Sequence, residues 1–363
     1  MRTPIAFVIL CVAALACAGE NARAPRAASL DPEWGSANPV RPLPAPPTGS
    51  PADFSLVPWV TPTKVRLGRW LFYDARLGAD GSSSCASCHH PEHGFSEARP
   101  VSAGAHGRPG RRKAQPILNS AFPVYPRWFW DGRASSLVEQ SKGPLRSAVE
   151  TGSTLDRAAA AVAAIAAYRP YFREAFGDDR IDVERTGEAI AAYEATRLSG
   201  GSRHDRDEAG DARALGPAEI RGKELFFGRA GCKQCHLGPN LTDGQFHNLG
   251  IGWRAPPAGT PASTGFADQG RNEVTKNARD VGAFKTPTLR EVSRRAPYMH
   301  DGSVKDLRQS IIHIARGGTQ NPWLSEGIVP LPLSDADVDA LVAFLNALDG
   351  EGYADVPPPS FPR

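Results

Sequence analysis

The chain has 363 residues, with 42 basic and 39 acidic side chains and a formal net charge of +3. This length suffices for two ordinary domains, and the balanced charge without a basic tract argues against nucleic acid as a partner. The 36 glycines and 33 prolines favour long irregular loops around helices over a sheet-rich fold.

Residues 1–16 have the pattern of an export signal. Arg2 gives a short positive start, the run from Ile5 to Ala16 is apolar, and small residues occupy the cleavage positions. The run is too short to span a bilayer, and its place at the extreme terminus disfavours a buried strand. We therefore expect a periplasmic protein.

Cysteine usage predicts a lipid anchor at Cys17. Of the six cysteines, Cys11 lies inside the signal and four belong to a repeated motif further along the chain. Cys17 is left alone directly after the cleavage site, where a free thiol is a liability in an oxidising compartment. The sequence Ala14–Cys17 is a loose lipobox, and a soluble periplasmic form is the alternative.

Residues 17–60 are expected to form a proline-rich linker rather than core. Eight prolines between positions 38 and 62 favour a semi-rigid extended segment that holds the body away from a membrane anchor.

Apolar spacing and capping residues predict helices and no sustained strand, so the fold class is mainly α with long loops. The predicted helices begin after Thr61, at Leu155, at Val183, at Pro217, after Ser303 and after Ser334. The helix from Leu155 is expected to continue without a break to Phe176.

A Cys-x-x-Cys-His motif occurs at residues 85–89 and again at 232–236. In this motif the thiols add to the vinyl groups of haem and the histidine becomes an axial iron ligand. A zinc site or redox dithiol is the alternative, disfavoured because both motifs carry the histidine. The predicted attachment residues and iron ligands of two haem c groups are Cys85, Cys88, His89, Cys232, Cys235 and His236.

Each motif follows a similar helix, since residues 67–72 (Leu-Gly-Arg-Trp-Leu-Phe) resemble residues 221–226 (Arg-Gly-Lys-Glu-Leu-Phe). The repetition predicts two related cytochrome-c-like haem domains, residues 61–205 and 206–350, with a tail at 351–363. The polar, glycine-punctuated segment 200–210 is expected to connect them.

Segments around the motifs resemble the bacterial di-haem cytochrome c peroxidases and their relative MauG, which oxidises residues of a partner protein. The resemblance covers about residues 60–348. It is carried by residues 67–74, 129–133, 139–144 with Glu150 beyond, 286–290 and 297–302.

The resemblance implies that the N-terminal haem reacts with hydrogen peroxide and that the C-terminal haem stores or relays electrons. It assigns Gln140 and Glu150 to the peroxide pocket, where one carboxylate can move a proton between the two oxygens. Trp130 matches a tryptophan between the haems, which can pass an electron by transient oxidation. The ordinary alternatives are a solvated Glu150 and a merely packed Trp130.

Two histidines are candidate further iron ligands. His106 resembles a loop histidine that binds the peroxidatic iron at rest and leaves when the other haem is reduced; a solvated histidine is the alternative. The second ligand of the C-terminal haem, Met or Tyr in the family, matches Ile314, which cannot bind iron. The neighbouring His313 is rotated by about 100° on the helix, so a polar-face position is its alternative.

The resemblance also implies a calcium ion between the domains, held by an asparagine side chain and two carbonyls. The asparagine position matches Ala114, and the carbonyls match those of Arg295 and Pro297. Hard cations need several oxygen ligands, so the loss of one leaves calcium an open expectation.

The leading functional hypothesis is a periplasmic peroxidase that reduces hydrogen peroxide with electrons from a small cytochrome c or cupredoxin. The second is a MauG-like enzyme that uses peroxide to oxidise tryptophan or tyrosine of a protein substrate. Loss of the methionine ligand favours the second, because a thioether raises haem potential, whereas His106 favours the first. A non-enzymatic electron carrier has no use for Gln140 and Glu150.

Overall fold

The computed structural model describes residues 32–123, 126–261 and 265–363, so the expected signal and Cys17 lie outside the described part. The helices of the N-terminal part are α1 (Pro32–Ala37), α2 (Pro62–Tyr73), α3 (Leu137–Leu145), α4 (Leu155–Ala163), α5 (Arg169–Phe176), α6 (Val183–Ala195) and α7 (Arg203–Glu208). Those of the C-terminal part are α8 (Pro217–Phe227), α9 (Asn272–Thr275), α10 (Leu307–Ala315) and α11 (Asp335–Asn346). Two short strands, β1 (Phe246–His247) and β2 (Phe284–Lys285), pair antiparallel.

Each half of the molecule is built on one pair of packed helices, α2 with α6 and α8 with α11. Gly68 on α2 lies against the carbonyl of Ala189, and Gly222 on α8 lies against that of Ala340. A Cβ atom at either glycine would overlap the carbonyl oxygen, so both positions require glycine for the backbones to approach. The repeat in the sequence is thus a repeat in packing, and the expected mainly α fold with two cytochrome-c-like halves is confirmed.

The predicted helix starts are correct where a side chain caps the first turn. Thr61 accepts a hydrogen bond from the backbone N–H of Lys64 and begins α2. Ser334 and Asp337 form a reciprocal capping box at the start of α11. Since the cap satisfies an otherwise unpaired N–H group, it fixes where each helix begins.

The single helix expected from Leu155 to Phe176 is wrong. The first helix ends at Ala163, a 3-10 turn follows, and α5 begins at Arg169 with Pro170 in its first turn. Pro170 has no N–H to donate to the carbonyl four residues earlier, and its ring excludes that carbonyl sterically. A proline fits readily in the first turn of a helix, where its missing N–H would be unpaired in any case, so the helix breaks before Pro170 and a new one begins.

The helix expected after Ser303 also begins later. Asp306 caps α10 by accepting from the N–H of Gln309, and Val304 pairs instead with Tyr298 in a short bridge.

Residues 32–60 pack on the body, whereas residues 17–60 were expected to form a semi-rigid extended linker outside the core. Trp34 belongs to the first core, and Val57 and Val60 are buried against α6 and the loop that precedes α3. The prolines make this segment extended, yet its apolar side chains are placed to cover the helices. No helix in the described ranges is both long and apolar enough to cross a membrane.

The tail, residues 351–363, returns to the first half. Tyr353 is part of the first core, and Phe361 packs against it. The expected boundary between residues 205 and 206 falls inside α7. Asp205 in this helix forms an ion pair with Arg290 of the C-terminal part. The domain limits drawn from the sequence therefore stay a prediction.

Candidate functional site

Two cavities of about 510 Å³ each lie beside the two Cys-x-x-Cys-His motifs. Cys88 and His89 line the first cavity, together with Gln140 and Glu150. The second is lined by Cys232, Cys235 and His236, which were predicted to act together. Volumes of this size are typical of cofactor sites.

The histidines of the two motifs are held in the same way. The ring Nδ1 of His89 lies 2.9 Å from the carbonyl oxygen of Phe95, and that of His236 lies 2.9 Å from the carbonyl of Leu241. Phe95 and Leu241 both have positive φ, 53° and 49°, which turns their carbonyls back toward the rings. Because Nδ1–H donates, Nε2 keeps its lone pair and is available to a metal.

Burial sets the protonation states at both motifs. It lowers the pKa of His89 and of His236, which favours the neutral imidazole that a metal requires. It raises the pKa of Cys88 and of Cys232 to about 11, so that neutral thiols predominate. A redox dithiol needs a stabilised thiolate, so these surroundings suit uncharged thioethers better.

A lysine on the wall of both cavities supports the fit of haem. Lys285 lines both cavities, and its Nζ donates to the carbonyl of Arg127 at 3.0 Å, with no ion pair to any carboxylate in the described residues. Burial lowers the pKa of Lys285 to about 8. A haem carries carboxylate side chains, which would neutralise a lysine placed here. The residues present therefore fit two haems.

Gln140 and Glu150 both line the first cavity. Gln140 is on α3, and its buried Oε1 atom has no hydrogen-bond partner in the described residues. Glu150 follows in the next loop, where its N–H donates to Ser147 Oγ at 3.0 Å. Burial raises the pKa of Glu150, partly offset by Arg133. A raised pKa suits a carboxyl group that must both accept and release a proton.

Glu194 is a site residue that the sequence analysis missed. It lines a small cavity of about 50 Å³ shared with Gln140, Glu150 and Cys85, and it is only 2% exposed. Its Oε2 atom has no partner among the described residues, and burial raises its pKa to about 8. A lone acidic residue inside the apolar run 189–195 was the signal in the sequence.

Trp130 lies on the wall that the two cavities share. Its Nε1–H donates to the backbone carbonyl of Lys113 at 2.8 Å. The ring lies 6.5 Å from that of His300, which stacks on Phe284 with 3.5 Å between ring centroids.

The structure places His106 on the surface and not among the residues that line the first cavity. Its side chain is 56% exposed, with Nδ1 3.3 Å from a carboxylate oxygen of Asp80. The backbone N–H of His106 donates to the same carboxylate. The role of His106 as an iron ligand therefore stays a prediction.

His313 likewise lies away from the second cavity. Its Nε2 is 2.9 Å from the carbonyl of Leu249, and the cavity is lined instead by Ile311 and Ile314 from the same helix. His313 is not among the described residues that line this cavity, so the structure does not place it as a ligand of an iron bound there. Met299 also lines this cavity.

Comparison with known proteins identifies the family. Residues 62–213 match the family model of di-haem cytochrome c peroxidase, and residues 220–349 match that of cytochrome c. The methylamine utilization protein MauG of Methylorubrum extorquens is 37% identical over 81% of this chain and 80% of its own. The cytochrome-c peroxidase IdrP1 of Denitromonas iodatirespirans is 34% identical over 96% of this chain and 92% of its own.

A solved structure gives the same result. The crystal structure of a MauG-like protein associated with microbial copper homeostasis superposes with a TM-score of 0.74 at 31% identity, covering 89% of this chain and 98% of that one. The chain therefore belongs to the di-haem cytochrome c peroxidase and MauG family, and is a haem-dependent oxidoreductase.

Proposed function

We propose that this protein is a periplasmic peroxidase that reduces hydrogen peroxide to water with electrons from a small cytochrome c or cupredoxin. The observation that carries the proposal is the meeting of Gln140 and Glu150 on the cavity that also holds Cys88 and His89. An electron carrier needs no buried carboxyl group poised for proton transfer in that position.

Haem c, attached through Cys85 and Cys88 and through Cys232 and Cys235, supplies the redox-active iron for this chemistry. His89 and His236 present Nε2 to it because their Nδ1–H groups are engaged. Pyridine haemochrome quantitation should give two haems per chain, and Cys232→Ala with Cys235→Ala should leave one. A single haem in the unmodified protein would contradict the assignment.

In the proposed reaction, Gln140 orients peroxide through its free Oε1, which accepts a hydrogen bond from a peroxide O–H. Glu150 takes the proton from one peroxide oxygen and returns it to the other as the O–O bond breaks. Two electrons and two protons from outside complete the conversion of one peroxide to two waters. Burial raises the pKa of Glu150, which makes its carboxylate a stronger base for taking the first proton.

Glu150→Gln should lower the rate of peroxide consumption about 10²- to 10⁴-fold while haem content stays at the wild-type level. Glu139→Gln, on the same α3 turn as Gln140 but paired with Lys142, is the matched control and should leave the rate unchanged. Wild-type turnover by the Glu150 variant would show that another group moves the proton.

His106 is proposed to be the ligand that closes the first cavity at rest. Its exchange between Asp80 and the cavity would require a movement of the loop around Gly104 and Gly107. His106→Ala should then react with peroxide in the fully oxidised state without prior reduction, as followed by stopped-flow absorbance. If the oxidised wild type already reacts at the same rate, His106 has no such role.

A MauG-like activity on tryptophan or tyrosine of a protein substrate is the second candidate, favoured by Ile314 in place of a strong ligand. Peroxide consumption with and without a reduced cytochrome c distinguishes the two, since only the peroxidase depends on a diffusing donor.

Export and a lipid anchor at Cys17 complete the proposal. Cys17→Ser should release the protein from the membrane fraction, and retention there would contradict lipidation.

A further inference from the structure

Glu194 is a buried carboxyl group that the proposed reaction does not use. It extends from α6, is almost fully buried, and forms no ion pair with a basic side chain in the described residues. Its Oε2 atom has no hydrogen-bond partner there either. Buried polar groups in folded proteins are normally hydrogen-bonded, so packing alone does not account for this carboxyl group.

A small cavity connects Glu194 to the peroxide pocket. The cavity has a volume of about 50 Å³, and Gln140 and Glu150 line it as well as the larger first cavity. A cavity of this size has room for water when polar groups line it. A proton on Glu194 can therefore reach Glu150 through water without leaving the protein.

Two serines on the wall of the same cavity offer an entry for protons. Ser84 and Ser87 line it and are half-buried. Their Oγ atoms lie 3.4 Å apart, and the N–H of Ser84 donates to Ser87 Oγ at 3.0 Å. A hydroxyl both donates and accepts hydrogen bonds, so it can pass a proton on. One cavity thus borders two partly exposed serines and two buried carboxyl groups.

The proposed reaction needs protons that Glu150 alone does not provide. Glu150 moves one proton between the two peroxide oxygens, whereas the conversion of peroxide to two waters takes up two further protons with the two electrons. An electron that enters a buried site without a proton leaves an uncompensated charge there, which is costly. Burial raises the pKa of Glu194 to about 8, so this group carries a proton at neutral pH.

We propose that Glu194 is the proton donor that refills Glu150 during peroxide reduction. For each electron that arrives from the donor protein, the O–H bond of Glu194 breaks and a new O–H bond forms on the Glu150 carboxylate, which passes the proton to the product oxygen. Solvent then reprotonates Glu194 past Ser84 and Ser87. Two such transfers complete the second water. The proposal rests on the proposed peroxidase function, and Glu194 acts through Glu150 without contacting peroxide.

Glu194→Gln tests the proposal by separating two rates. Glutamine has the size of the neutral acid but has no acidic proton to release. The first reaction with peroxide, followed by stopped-flow absorbance, should keep its rate, since Glu150 is intact. Steady-state turnover with a reduced cytochrome c should fall about 10²-fold or more. Unchanged turnover, or an equal loss in both rates, would overturn the proposal.

Replacement of the lost acid provides a readout that a structural role would not move. Glu194→Ala leaves space for a small carboxylic acid, so added formate should raise its turnover roughly tenfold or more, whereas chloride at the same ionic strength should not. Glu194→Asp keeps an acidic proton and should retain most of the turnover. If neither formate nor Asp restores turnover, the carboxyl proton is not what the variants lack.

Infrared spectroscopy tests the protonated state of Glu194 without any turnover. At neutral pH the haem-loaded protein should show the C=O band of a protonated carboxyl group, which shifts in D₂O and is absent in Glu194→Gln. A protein with this band that consumes no peroxide would refute the proposed function. A peroxidase in which the band is missing would refute the role of Glu194.

Glu291→Gln is the control for loss of a buried carboxyl group. Glu291 is fully buried, but it accepts hydrogen bonds from Ser199 Oγ at 2.7 Å and from the N–H of Gly350 at 2.6 Å. This variant should be less stable, and its turnover per haem-loaded molecule should not change. If it slows turnover as much as Glu194→Gln, the effect is general destabilisation and the proposal fails.

Discussion

Glu194 lies in surroundings that are unfavourable for a charged carboxylate. Its carboxyl group is buried on α6 beside Cys85, and no described side chain compensates a charge there. Burial alone raises its pKa from 4.5 to about 8, so the native state holds a neutral carboxylic acid at pH 7. A neutral acid beside Gln140 and Glu150 is also a source of one proton.

Glu194→Gln should remove a pH dependence of stability. The folded state binds the proton more tightly than the unfolded state, so stability is full below about pH 4.5 and is lost as the pH rises toward 8. The loss at pH 8 is at most roughly 4 kcal/mol. The thermal midpoints of the variant and of the wild type should therefore be similar at low pH, and the midpoint of the variant should be the higher one at high pH.

The exposed Glu224 on α8 provides the matched control. Glu224→Gln should follow the wild-type curve throughout, because its carboxyl group is solvated in both states. Parallel curves for Glu194→Gln and the wild type would mean that the buried carboxyl is stabilised by a group outside the described residues.

At the scale of elements, the helical spacing of α10 determines which of its side chains face the second cavity. Leu307, Ser310, Ile311 and Ile314 line it at helical spacing, whereas His313 points to Leu249. The spacing rule in the sequence correctly separated Ile314 from His313. It could not show that Met299 reaches the same cavity, because that residue lies in a turn with positive φ, where no periodicity applies.

We expect the oxidised protein to lack the charge-transfer band of a thioether bound to ferric iron, and its second haem to have a lower potential than in methionine-ligated peroxidases. Ile314→Met should introduce the band and raise the potential. His313→Ala should change neither. A band in the wild type that disappears in Met299→Leu would instead identify Met299 as the ligand.

Local chemistry explains which elements were predictable. Helices with a capping side chain, such as α2 and α11, were placed correctly, because a cap is a contact within four residues. The helix break before Pro170 also has a cause within a few residues, but the sequence analysis did not predict it. By contrast, the burial of Glu194 and the position of Lys285 depend on residues far apart in the chain, which a single sequence does not bring together.

At the scale of the whole molecule, residues 351–363 close the first half. The Asp355 carboxylate accepts from Arg69 Nε at 2.9 Å and from the hydroxyl of Tyr193 at 2.6 Å. Trp70 donates its indole N–H to the carbonyl of Ser360 at 3.0 Å. Burial raises the pKa of Asp355, but these hydrogen bonds outweigh it and leave the pKa below its ordinary value.

Asp355→Ala should destabilise the protein by about 3 kcal/mol, because it removes the carboxylate paired with the largely buried Arg69, whose remaining partners, Asn38 and the Val356 carbonyl, are neutral. Asp179→Ala, which breaks the exposed ion pair with Arg173, should cost less than about 1 kcal/mol. Denaturant unfolding of the haem-loaded variants compares the two. Equal losses of unfolding free energy in the two variants would show that the tail contributes little to the stability of the first half.

The return of residues 351–363 also means that the first half is not one continuous stretch of sequence. Trp70 and Tyr193 precede the second Cys-x-x-Cys-His motif, whereas their partners Ser360 and Asp355 follow it. A fragment cut after residue 350 would lack these partners and Tyr353 of the first core. Proteases degrade such an open hydrophobic core in preference to a closed one, so the persistence of the first half depends on a segment that lies beyond the second half in the sequence.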